Sequence, residues 1–202
     1  MSIFGRNSST GIAALECSTD TMWAGKFTLI ENGTVSRMDA YLIRGNANNA
    51  KLLIYDDGGA GGKPGTLKGY TNTIALPVEG GTNWYGAEMT TPLSLPAGDY
   101  WLTAVGDEDS GPDLRADVGS GLISKQVGSN FYAAPPNPWG EEDGSVVANP
   151  SIYATYEAGA GTYPVGLLKK GLVSGFHCFM SGYLSAKVAE KDPLKLPDGT
   201  PF

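Results

Sequence analysis

From its start to residue 157 the chain alternates apolar and polar positions in short runs, with glycine- and proline-bearing turns between them. Met22–Ile30 alternates large and small residues and leads into Glu31-Asn32-Gly33, where Asn-Gly is expected to supply the positive φ of a tight reversal. Val35–Arg44 sets Met38, Ala40 and Leu42 on one face against Tyr41 and Ile43 on the other, the period-2 mark of a half-buried strand. Lys51–Tyr55 is a short apolar run fit for a central strand. It ends in Asp56–Gly65, a loop with five glycines and a proline. Strand character resumes over Leu67–Leu76 and over Asn83–Met89, which carries Trp84 and Tyr85. A corner is expected over Thr91–Gly98. Asp99–Gly106 alternates again, Tyr100, Leu102 and Ala104 opposite Trp101, Thr103 and Val105. Asp107–Asn149 is looser, with short runs at Leu122-Ile123 and Phe131-Tyr132 and a proline-rich stretch around Trp139, and Ser151–Tyr156 reads as a closing strand. Strands recurring about every ten residues with turn chemistry between them predict an all-β, antiparallel sandwich or barrel.

After Glu157 the pattern changes. Gly166–Val188 is apolar but broken by Gly171, Gly175 and Gly182, each unfavourable in a helix by about 1 kcal/mol relative to alanine. Helix, strand and extended arm all fit it. The expected organisation is a β-domain over 1–157 and a C-terminal arm over 158–202, which would dock on its own domain or on a neighbouring subunit.

Composition narrows the function. The 202 residues include 29 glycines and 13 prolines, which matches many turns, and carry a net charge of −7. An acidic surface repels phosphate backbones and anionic lipid, which argues against nucleic acid and membrane as partners. Two cysteines, Cys17 and Cys178, make no disulfide framework; they either pair with each other or, the preferred reading, stay as two buried thiols. The N-terminus lacks a basic segment followed by an apolar one, so the expectation is synthesis as a soluble cytoplasmic chain. The sequons at Asn7 and Asn32 have no meaning without secretion.

Four segments carry a resemblance: KFTLIENGTVSRMDAYL, KLLIYDDGGAGGKPGTL, TTPLSLPAGDYWLTAV and NPSIYATY. Ile54-Tyr55-Asp56 running to Pro64-Gly65-Thr66-Leu67, followed by Leu95-Pro96-Ala97-Gly98-Asp99-Tyr100-Trp101-Leu102, resembles the jelly-roll modules of phage virion proteins and bacterial surface proteins. The likeness covers about residues 20–157. It implies an antiparallel jelly-roll β-sandwich and a virion role as head decoration, fibre or tail accessory, with self-association and other virion proteins as partners. An extracellular surface location is the alternative, and the absent leader favours the virion. The resembling residues are turn and core signatures, so they speak to fold more than to function.

Enzyme chemistry finds little footing. The one histidine, His177, stands beside Cys178, but neighbours on one strand or helix rarely appose as a catalytic pair. The glycine loop misses the phosphate-binding pattern: Asp57 stands where its first glycine belongs, and Pro64 follows Lys63 where Ser or Thr is needed. Carboxylates at Asp107, Glu108, Asp109 and Asp113, and at Glu141, Glu142 and Asp143, would serve a glycoside hydrolase only if they faced each other across a cleft. This ranks last among the functions considered, and a non-enzyme is expected. Asp107, Glu108, Asp109 and Asp113, with Asp117, form the calcium candidate, since Ca²⁺ takes hard oxygens from flexible loops; a solvated acidic loop is the plainer reading, and no other cofactor is implied. Aromatics remain. Trp139, expected at the loop surface, then Trp84, Tyr85 and Tyr132 are the candidates for stacking on sugar rings, so a carbohydrate-binding module for surface glycans is the alternative function.

Overall fold

The computed structural model describes residues 1–159 apart from Thr10, Ile12, Glu79, Gly80, Glu142 and the side chain of Ser120. The arm expected from residue 158, with His177 and Cys178, lies outside them except for its first two residues. The described chain is all-β, with no helix among its residues, and so none long and apolar enough to cross a membrane. Its strands are β1 (Ser2–Gly5), β2 (Ala13–Glu16), β3 (Thr21–Leu29), β4 (Gly33–Ile43), β5 (Asn49–Asp56), β6 (Leu67–Tyr70), β7 (Ile74–Ala75), β8 (Asn83–Leu95), β9 (Gly98–Gly106), β10 (Asp113–Val127), β11 (Gly144–Pro150) and β12 (Ile152–Ala158).

Antiparallel pairings join them into one sheet in the order β1-β12-β4-β10-β3-β9-β5-β6, with β8 added to β4, β7 to β5, and β2 and β11 to β10. Strand β10 joins two limbs. Its first residues pair with β2 and β4, its last with β3, and the register against β11 shifts between Val118 and Leu122. That irregularity changes which side chains face inward: Leu114 and Ala116 are buried before it and Ile123 after it, while Leu122 is left exposed. A bulge of this kind breaks the period-2 signal, which explains why a 15-residue strand reads as a loose region.

Both limbs line one core. Phe4 of β1, Val35, Met38, Ala40 and Leu42 of β4, and Ile152, Ala154 and Tyr156 of β12 meet Ala50, Leu52 and Ile54 of β5 and Tyr100, Leu102 and Ala104 of β9. The Phe4 ring lies edge-on to Tyr100 at 6.1 Å and to Tyr156 at 6.2 Å, linking the limbs across the core. Strands β3, β9 and β5 are buried on their other face too. Met22, Ala24, Leu53, Tyr55, Trp101 and Val105 form a second cluster, covered by Phe131 and Trp139 of the β10–β11 connection. Burial on both faces is why Lys51–Tyr55 reads as a nearly continuous apolar run.

Two turns differ from expectation. Gly33 does not take positive φ; glycine is needed there for space, because a Cβ would run into the Tyr156 ring. The reversal is held instead by Asn32, whose side-chain oxygen accepts from Ala97 N at 2.8 Å. Strand β8 also continues past the expected corner to Leu95. Pro92, which has no N–H to donate, falls where the β8 ladder against β4 is interrupted, between the Leu93–Val35 and Glu88–Arg37 pairs.

Candidate functional site

The limb β1-β12-β4-β8 buries one face in the core and leaves the other to solvent. On β4, Arg37, Asp39 and Tyr41 alternate with the buried Met38, Ala40 and Leu42 and so point outward. Register places Arg37 opposite Glu88, Asp39 opposite Gly86 and Tyr41 opposite Trp84 on β8. On the other side Asp39 stands opposite Tyr153 of β12. Residues directly opposite in an antiparallel ladder share a face, so three aromatic rings and three charges occupy one surface. The Trp84 ring centre lies 5.3 Å from that of Tyr41 and 5.2 Å from that of Tyr153. Since β4 runs between β8 and β12, the indole lies across β4. All three rings are half-buried.

The charges beside the rings are already matched. Arg37 grips Asp39 in a fork, Nε donating to Oδ2 at 2.9 Å and Nη2 to Oδ1 at 2.8 Å, and its Nη1 lies 3.5 Å from Glu88 Oε1. The hydrogen bond to Asp39 raises the Arg37 pKa further above its usual range, against the opposing effect of burial. Burial raises the Tyr153 hydroxyl pKa, the Asp39 carboxylate adds to it and Arg37 opposes it, so the phenol stands close to the ion pair and stays neutral. Gly86 makes room: a Cβ there would lie inside contact distance of Asp39 Oδ1 and of the Met38 carbonyl. What results is a half-buried aromatic cluster, Trp84 tilted 41° from Tyr41 and edge-on at 60° to Tyr153, bordered by the Arg37–Asp39 pair.

The residues singled out from sequence scatter over the molecule. Trp84 is on this face. Tyr85, its neighbour in β8, packs against the core from the other face, its hydroxyl donating to Gly81 O at 3.2 Å. Trp139 was expected at the surface but is only 6% exposed; its ring lies edge-on to Tyr55 at 4.9 Å and its backbone N–H donates to Gly65 O at 2.7 Å. The outer face of β5 and β9 needs an apolar cover, and Trp139 supplies it. Tyr132 lies beneath the Lys51 ammonium, 4.3 Å from its ring centre, and its hydroxyl meets Thr73 Oγ1 at 3.2 Å. It lies in the β10–β11 connection and packs against the second cluster.

The acidic candidates are engaged or apart. Asp107 accepts from Asn48 N and Asn49 N at 3.0 Å and from Asn49 Nδ2 at 2.7 Å. Glu108 and Asp109 are exposed turn residues. Asp113 begins β10, and burial raises its pKa against the pull of Arg115. Asp117 is bonded to Arg6, and Asp143 lies 3.7 Å from Lys125. Among the described residues no group of three or more His, Cys, Asp or Glu side chains is placed to hold a metal ion.

Tyr41, Tyr153, Arg37 and Asp39 were not among the sequence candidates. Alternation alone marks Tyr41 as outward-facing; only the β8-β4-β12 register, set by pairing distant in sequence, brings it to Trp84 and Tyr153. The described chain is all-β, and one outer face of its sheet gathers three aromatic rings beside an ion pair. No protein-family model matches the chain, and no curated protein matches it.

Proposed function

We propose that this chain is a non-catalytic accessory module of a phage particle, a head decoration, fibre or tail component, built as a jelly-roll-type β-sandwich. The observation that carries the reading is how its long loops are used. The β5–β6 loop is closed on itself by Asp56, whose Oδ1 accepts from Gly58 N at 3.1 Å and Thr66 N at 2.8 Å. Asp57 is bound by Lys26 Nζ at 2.6 Å and Trp101 Nε1 at 2.8 Å. The β10–β11 connection is pinned by Tyr55, whose hydroxyl donates to Pro136 O at 3.0 Å, and by Lys51, which donates to Tyr132 O at 3.0 Å. Loops that bond inward give a rigid body suited to being packed into an assembly, whereas catalytic loops commonly aim ionisable groups into a cleft. The likeness of residues 20–157 to virion jelly-roll modules supports the same reading, with the virion as location, an extracellular surface as the alternative, and self-association and other virion proteins as partners. The test is the mass of the full chain in solution together with its gene neighbours. A closed symmetric oligomer encoded beside capsid, portal or tail genes is expected; a monomer that hydrolyses glycosides overturns the reading.

A second reading, a carbohydrate-binding module for attachment to surface glycans, is favoured by the Tyr41–Trp84–Tyr153 face. The two are compatible, since an accessory module can hold a particle to a glycan. Loss of glycan retention on Trp84→Ala, with the fold intact, is the expected result.

A further inference from the structure

We propose that the Tyr41–Trp84–Tyr153 face takes an uncharged pyranose and discriminates against saccharides bearing carboxylate or sulfate; this rests on the carbohydrate-binding reading. Three features of the face carry it. First, the indole lies across β4 and is braced by two tyrosines on adjacent strands, tilted 41° from Tyr41 and edge-on at 60° to Tyr153, so a half-exposed Trp84 ring is held in a fixed orientation. Such a ring matches the C–H-bearing side of a sugar ring, which is apolar and flat. Second, β4 is hydrogen-bonded on both sides, to β8 and to β12. It has no free edge for an added peptide strand, so a peptide could not pair with the central strand of the face.

Third, the charges select. Arg37 is the cation beside the rings, and it faces two carboxylates, Asp39 in a bidentate fork and Glu88 at 3.5 Å. One positive and two negative groups leave the triad at −1, on a chain of net charge −7. An anionic sugar would meet a guanidinium that already faces two carboxylates, and a net negative field. A neutral sugar meets no such repulsion, and its hydroxyls can donate to the Glu88 carboxylate, whose side chain is 63% exposed. The same sign argues against a second copy as occupant, because a twofold contact of this face with itself would set one negative triad against another.

The test is retention of the full chain in affinity gels cast with neutral polysaccharides (laminarin, mannan, galactan) or anionic ones (polygalacturonate, heparin), for wild type, Trp84→Ala, Trp84→Phe and Tyr153→Ala. Retention by at least one neutral polysaccharide is expected, weakened about tenfold or more by Trp84→Ala and less by Trp84→Phe. Melting temperature shows whether each variant is folded, and Trp84→Phe keeps the test open if the alanine variant is not. Preferential retention by polygalacturonate or heparin that disappears with Trp84 overturns the charge selection but leaves carbohydrate binding standing. Neutral retention indifferent to both Trp84 and Tyr153 overturns the assignment of the face. Retention by none of the five polysaccharides overturns this proposal and removes the carbohydrate reading with it.

Discussion

Replacing Trp139 by alanine is expected to cost stability and to leave ligand recognition alone. The side chain is 6% exposed and completes the cluster of Met22, Leu53, Tyr55, Trp101 and Phe131. An aromatic side chain buries about 150–250 Å², which at about 25 cal/mol per Å² is about 4–6 kcal/mol, an upper figure because the unfolded chain already hides some of that area. Core Trp→Ala substitutions fall at about 3–5 kcal/mol, cavity included. The edge-on contact with Tyr55 goes with it, and the connection that carries Phe131 and Tyr132 loses an anchor. With a urea slope of about 2 kcal/mol per molar, the unfolding midpoint should fall by about 1.5–2.5 M. Trp139→Phe keeps a ring and deletes an indole N–H that is buried without a hydrogen-bond partner, so it should cost markedly less. Urea melts of the three proteins by near-ultraviolet circular dichroism decide the matter. A midpoint shift under about 0.5 M for Trp139→Ala, with glycan retention lost, would refute the assignment of this tryptophan to the core.

Three further outcomes follow from local geometry. Gly86→Ala should destabilise by about 1–3 kcal/mol in thermal melts, because its new methyl group collides with Asp39 Oδ1 and the Met38 carbonyl; an unchanged melting temperature would mean that β8 shifts freely. Cys17 should resist a thiol reagent at pH 8 until the protein unfolds, since burial pushes its pKa up to about 12; rapid labelling of a Cys178→Ser variant under native conditions would contradict this. Burial acts on Asp107 to raise its pKa, but hydrogen bonds from Asn49 and Asn48 win and hold it below the usual 3.8. A depressed folded pKa contributes stability that is full above the unfolded value and fades as pH falls through the folded one. Asp107→Asn should therefore flatten the fall of stability below about pH 4 relative to wild type, and parallel acid limbs would rule the contribution out.

Strands whose two faces meet different surroundings could be read by alternation, and β5, buried on both faces, by its continuous apolar run. In β4 and β12 one side is core and the other solvent, so Met38, Ala40, Leu42, Ile152 and Ala154 stand out by alternation. Strand β9 shows the same alternation for another reason: Tyr100 and Leu102 enter one cluster and Trp101 and Val105 the other. Strand β10 was illegible because its phase changes where the register slips. Trp139 misled because glycine, proline and acid neighbours mark a loop, and loops are expected at the surface. Nothing local says that this loop must cover Tyr55 and Trp101. The same limit hid the aromatic face, where Tyr41, Trp84 and Tyr153 are distant in sequence and share a surface through two strand registers.

That division decides where a contact surface can lie on this molecule. Strands β3, β9 and β5 have spent both faces on packing, so a side chain there that reached for a ligand would have to leave a core, at a cost of several kcal/mol for a Trp or Phe. The limb β1-β12-β4-β8 buries one face alone, and its outer positions are free to vary without a cavity forming behind them. Half-exposed rings on that face add little to the core, yet three of them are brought into contact and bordered by an ion pair whose geometry depends on a glycine having no Cβ. Stability alone accounts poorly for that combination, because a side chain at position 86 would otherwise strengthen the strand. On the proposed carbohydrate reading the combination has a use: the ion pair beside Trp84 is set before a ligand arrives, so little ordering would remain to be done on binding.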